Sequence, residues 1–139
     1  MGKSLLNVYH TTQKGNGTKI VNDGWHVPRN IHIGQVYGRG IYFWELISDA
    51  HTYGQRIYGS NNYEIIEETI PLVDGQFDYY DHTKRFGDCH DTISKNLIRR
   101  GVHCLIVSRA YMDRSTMLAD GKAYVWLVDI DNDYHEVKY

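Results

Sequence analysis

Tyr37-Gly-Arg-Gly-Ile-Tyr-Phe43 is the stretch on which the reading of this chain turns. Two glycines flank an arginine, and the short apolar run Gly40–Trp44 follows at once. A Gly-x-Gly turn feeding a strand places Tyr42 just beyond a tight bend. Alone, Gly-x-Gly is a weak phosphate-loop signal, and no Gly-x-Gly-x-x-Gly occurs. Upstream, Val8-Tyr-His-Thr-Thr12 closes a strand candidate, Leu5–His10, whose alternation puts Leu6, Val8 and His10 on one face. Downstream, Ser48-Asp-Ala-His-Thr-Tyr53 opens a helix, with Ser48 as N-cap and Asp49 in the first turn, where the helix dipole favours an anion. Ala50, Tyr53, Gly54, Ile57 and Tyr58 then fall on one face at helical spacing, and Tyr53 lies eleven residues after Tyr42.

The remaining elements follow the same logic. Thr18 is expected to cap a short helix through Asp23, closed by Gly24, and residues 25–39 read as loop. Tyr63–Leu72 is a strand candidate, and residues 74–90, rich in Asp, Gly and Tyr, read as loop. Asp91 opens a helix through Arg100, stopped by Gly101. Val102–Ser108 and Tyr124–Ile130 are apolar strands expected to be buried on both faces, separated by a polar loop over 109–123. Strands and helices in this order make an α+β protein.

Composition agrees. Among 139 residues, 13 Ile, 10 Val and 12 Tyr outweigh 8 Leu and 4 Ala, which favours sheet over helix. The length suits a single domain over residues 1–139 with its own core. Hydrophobic residues at 42% and charged residues at 23% exclude a mainly disordered chain. A net charge of -2 gives no electrostatic case for a dedicated nucleic-acid binder, though a nucleic acid can still be an enzyme's substrate. No apolar run approaches the roughly 18 residues of a membrane span. Met1–Leu6 has no apolar region of signal-peptide length, so the expectation is a cytoplasmic protein away from membranes. Cys89 and Cys104 are expected as two thiols. Eight histidines invite a metal reading, but His103 and Cys104 point to opposite faces of a strand, so no metal is expected.

The three segments together resemble the ADP-ribosyltransferase superfamily, in the branch of diphtheria toxin and the poly(ADP-ribose) polymerases. That branch has a strand ending in a Tyr-His-Gly-Thr pattern, matched in part by Tyr9-His-Thr-Thr12. Its Ile-x-x-x-Gly corresponds to Ile20–Gly24, and its Gly-Arg/Lys-Gly-Ile-Tyr-Phe to Gly38–Phe43. A second tyrosine on the next helix corresponds to Tyr53. The resemblance covers roughly residues 6–58 by motif and the rest by strand order. It implies two small packed β-sheets with flanking helices around a cleft for NAD. It also implies a single transfer of ADP-ribose to a macromolecular acceptor, protein or nucleic acid. Small solo members are often microbial or phage effectors and toxins.

By the resemblance, His10 anchors a ribose hydroxyl, the Thr11 backbone holds the carboxamide, Gly40 lies in the cofactor-binding turn, and Tyr42 and Tyr53 clamp nicotinamide. Tyr111, Asp113, Arg114 and Ser115 fall on the acceptor-side loop. The family's catalytic glutamate has no counterpart, since no glutamate lies between Glu68 and Glu136. Asp120, just before the last strand, is the candidate acid. Thr11 and Ala50 replace a glycine and a serine of the pattern. Taken singly, His10 reads as a structural histidine, Tyr42 and Tyr53 as core, and Asp120 before Gly121 as a turn residue. The alternative function is an inactive module of this fold that binds NAD, ADP-ribose or a protein partner.

Overall fold

The computed structural model describes residues 3–23, 37, 40–81, 90–112 and 117–128. Its elements are β1 (Lys3–Gln13), α1 (Asn16–Asp23), β2 (Gly40–Trp44), α2 (Ile47–Ile57), β3 (Tyr63–Val73), β4 (Phe77–Tyr79), α3 (His90–Arg99), β5 (Cys104–Val107) and β6 (Ala123–Leu127). The mixed α+β class expected from the sequence is what these elements form. Gly24, most of residues 25–39, residues 82–89, Asp113–Ser115 and residues 129–139 lie outside the described residues.

The six strands are hydrogen-bonded into one sheet in the order β3-β1-β2-β6-β5-β4. Two packed sheets were expected; the described strands instead make one sheet in two parts. β1 and β3 pair along their whole length, from Lys3↔Val73 to Gln13↔Tyr63. β2 and β6 pair from Gly40↔Leu127 to Trp44↔Ala123. Between the two parts, β1 and β2 share the single pair Tyr9↔Trp44. The sheet therefore has a seam between β1 and β2.

Side-chain alternation sorts the core into two layers. On one face, Trp44, Leu105, Val107 and Val125 pack with Ala50 of α2 and Leu97 of α3. On the other, Val8, Ile41, Phe43, Ile106 and Tyr124 pack together, with Ile20 of α1 against them. β5 is buried at every position, as its unbroken apolar run led one to expect.

Long-range partners move several element boundaries. β1 extends beyond Leu5–His10 because β3 supplies a ladder for its polar ends. α1 begins before Thr18, and its Gly17 N–H is taken by Glu64 Oε1 of β3 at 2.8 Å. Ser48 lies inside α2, whose N-cap is Leu46 without a side-chain bond. β4 falls in the expected loop 74–90; it is three residues long and pairs in parallel with β5. α3 ends as anticipated at Gly101 (φ 83): Val102 N–H bonds Leu97 O and Gly101 N–H bonds Ile98 O, the Schellman closure.

Gly40 opens β2 where β6 comes closest. A Cβ there would collide with the Trp126 carbonyl and stand 2.8 Å from Val125 Cγ1. Main chain cannot yield cheaply, so Gly40→Ala is expected to cost about 1–3 kcal/mol. Urea unfolding checks this: the midpoint falls with unchanged m.

Candidate functional site

The candidate residues gather around the seam. After Tyr9↔Trp44, a continued antiparallel ladder would set Thr11 opposite Tyr42. Instead the His10 side chain crosses to β2, with Nδ1 2.7 Å from the Tyr42 carbonyl oxygen. A carbonyl only accepts, so Nδ1 carries the proton and donates. In the neutral ring Nε2 is then the acceptor nitrogen. The ring also meets Phe43 edge-on, with centroids 5.8 Å apart. Burial pushes the His10 imidazole down to about 4, against a smaller upward pull from the Tyr42 carbonyl. His10 is thus neutral at physiological pH.

Tyr42 leaves β2 on the opposite face from Phe43, towards the α2 layer. Its ring lies nearly parallel to that of Tyr37, 6.4 Å away at 29°. Its hydroxyl accepts the Tyr37 N–H at 2.8 Å. Burial raises the Tyr42 hydroxyl well above its usual range, outweighing that hydrogen bond. Tyr53 packs on the same layer, its ring 5.3 Å from Trp44. Burial first, then nearby Tyr58, pushes its hydroxyl up to about 12. Both phenols are therefore neutral, half-buried rings on one side of the seam.

Thr11 is buried, and its hydroxyl donates to Ala50 O at 2.8 Å, fastening β1 to the first turn of α2. Gly40, expected in the cofactor-binding turn, has its packing reason in β6. Asp120 is exposed, and what the structure fixes is its main chain: the Asp120 N–H donates to Asp49 Oδ1 at 3.1 Å. The structure thus brings together Tyr42 and Tyr53 in the α2 layer, with Thr11 fastened to the same helix. His10 reaches the Tyr42 main chain but packs its ring on Phe43, which belongs to the opposite layer. The Asp120 carboxylate is left at the surface.

Two residues that the sequence did not single out for the site complete it. Asp49, 2% exposed, also accepts the Gly121 N–H, at 2.8 Å. Two main-chain donors and the N-terminus of α2 offset the cost of burying its carboxylate. Its first-turn position was the available signal, but nothing local points to residues more than seventy positions away. Tyr37, also buried, accepts the Tyr111 N–H at 2.9 Å and meets Tyr80 edge-on at 4.9 Å. It lies in a stretch whose composition reads as loop.

An open groove of about 560 Å³ between α1 and β3 is lined by Gly17, Thr18, Val21, Glu64, Ile65 and Ile66, and by none of the candidate residues. Among the described residues, no three His, Cys, Asp or Glu side chains converge as metal ligands, and no helix is long and apolar enough to cross a membrane. No protein-family model, curated protein or solved structure matches the chain significantly.

Two outcomes follow from this geometry. The unfolded chain protonates His10 near 6.5 and the folded chain only near 4, so in that window the unfolded state binds more protons. Stability contributed by neutral His10 is complete above about pH 6.5 and falls as pH drops towards 4, by up to about 1.4 kcal/mol per pH unit. Urea unfolding between these pH values should show a shallower slope for His10→Asn than for the native chain. Asp49→Ala strips the acceptor from the Asp120 and Gly121 N–H groups and is expected to cost about 1–3 kcal/mol by the same assay.

Proposed function

We propose that the chain binds NAD at the seam between β1 and β2 and transfers one ADP-ribose to a macromolecular acceptor. The observation that carries this reading is the pairing of Tyr42 and Tyr53 as neutral rings in one layer, with the Tyr42 carbonyl setting the His10 tautomer. The motif resemblance supplies the substrate class. His10 Nε2, as the acceptor nitrogen, takes a hydrogen bond from a ribose hydroxyl. Tyr42 and Tyr53 offer aromatic faces to the cationic nicotinamide ring, an attraction worth about 0.5–2 kcal/mol.

In the reaction the bond between the ribose C1′ and the nicotinamide nitrogen breaks. The bonding pair leaves with nicotinamide, which becomes neutral and needs no proton. A nucleophilic oxygen or nitrogen of the acceptor adds to C1′ and releases its proton. As positive charge moves from the ring to the sugar, cation–π attraction fades. The tyrosines therefore act in binding and orientation, and the developing oxocarbenium needs a carboxylate. Asp120 is the candidate. In bulk water a carboxylate 4 Å from a cation stabilises it by only about 1 kcal/mol, rising to about 4 at an effective dielectric of 20. An acceptor that covers Asp120 and excludes water thus raises turnover, which favours transfer over hydrolysis.

The exposure of Asp120 also favours a second reading: a module that keeps the cleft, binds NAD or ADP-ribose, and turns nothing over.

Nicotinamide release from labelled NAD, with and without cell lysate, separates the two. The transferase reading expects lysate-dependent release that falls at least about tenfold in Tyr53→Ala and His10→Ala. In Asp120→Ala, kcat should fall with little change in KM. NAD binding without release makes the chain a binding module. Absence of NAD binding overturns the transferase reading, and absence of ADP-ribose binding as well overturns both.

A further inference from the structure

Beyond the clamp lies a small hairpin on the side where the resemblance puts the acceptor. Tyr111 bridges Leu118, Met112 N–H bonds Met117 O, and Ala119 N–H bonds Ala110 O. Each end of this hairpin is held by a side chain belonging to a clamp-bearing segment. At one end, the Tyr111 N–H donates to the Tyr37 hydroxyl, and the Tyr37 N–H in turn donates to the Tyr42 hydroxyl. At the other, Asp120 and Gly121 N–H donate to Asp49, one helical turn before Tyr53 on the same face of α2. The two tethers come from different elements, and each leads to a different clamp tyrosine.

We infer that Tyr37 and Asp49 are positioning residues that lock the hairpin 110–112/117–121 to Tyr42 and Tyr53, so that NAD at the clamp and order in the hairpin stabilise each other. This rests on the NAD reading of the clamp. Movement of the Tyr42 ring shifts the acceptor of the Tyr37 N–H. Tyr37 cannot shift without loosening its bond to Tyr111. Asp49 transmits a displacement of Tyr53 along one rigid helical turn in the same way. Because such coupling is reciprocal, whatever orders the hairpin also tightens NAD binding by the same factor.

Tyr37→Phe is the sharp probe. It keeps the ring and the main-chain N–H to Tyr42 and removes only the acceptor for Tyr111. Amide exchange at Tyr111, Asp120 and Gly121 is followed by NMR with and without saturating NAD, and NAD affinity is measured by calorimetry. In the native chain NAD is expected to slow exchange at all three amides at least about fivefold. In Tyr37→Phe the slowing disappears at Tyr111 and persists at Asp120 and Gly121. In Asp49→Asn it diminishes at Asp120 and Gly121 and persists at Tyr111. Each variant weakens NAD binding by the factor of coupling it has lost. A merely structural role would change exchange equally with and without NAD, and that result overturns the inference. So does NAD binding that leaves the native chain's Tyr111 exchange unaltered; the NAD reading then stands. Absence of any NAD binding to the native chain overturns the NAD reading and the coupling together.

Discussion

One hydrogen bond governs the geometry of this sheet: the His10 imidazole donates to the Tyr42 carbonyl at 2.7 Å, where a main-chain ladder would otherwise continue. A side chain is longer than an amide, so this bond satisfies the buried carbonyl without drawing β1 and β2 into full register. The sheet stays continuous through Tyr9↔Trp44, the one register pair between β1 and β2. The same bond settles which nitrogen of His10 carries the proton, and burial keeps the ring neutral. The structural bond is made by Nδ1, and the proposed ribose contact would fall to the other ring nitrogen, Nε2. The reading of His10 as structural and its reading as a ligand anchor do not compete here.

The rest of the site is built outward from that seam in two directions. Towards α2, Thr11 fastens the strand to the helix through Ala50 O. Tight packing makes this docking specific: a Cβ at Gly54 of α2 would collide with the Tyr63 ring of β3. Towards the later strands, Tyr37 and Asp49 reach main-chain donors flanking the 113–116 segment. Buried polar groups placed this way are costly unless satisfied, which ties the site's order to the order of everything around it.

The legible part of the molecule was the part written in local patterns. Alternation in β1, the unbroken apolar run of β5, the helical spacing of Ala50, Tyr53 and Gly54, and the stop at Gly101 all act within a few residues. What escaped was settled by partners distant in sequence. Glu64 caps α1 from β3, so Thr18 was the wrong start. Leu46, not Ser48, begins α2, and the neighbouring Asp49 turns to the Asp120–Gly121 turn. β4 is too short to show a period and exists because β5 offers an edge. The spacing of Tyr42 and Tyr53 made them candidates from the sequence, and the structure packs both in one layer. Tyr37 and Asp49 were not singled out for the site, because tethering main-chain donors across the fold leaves no local signature. The two-sheet expectation missed for the same reason: a single pair, Tyr9↔Trp44, joins the halves.

The account stands on the state of the His10 ring, and nitrogen NMR of the imidazole reads that state directly. It predicts a neutral ring with the proton on Nδ1 from pH 8 to about 5, and an Nε2 resonance that moves when NAD is added. A ring protonated on Nε2, or one that titrates near its ordinary value of 6.5, would contradict it.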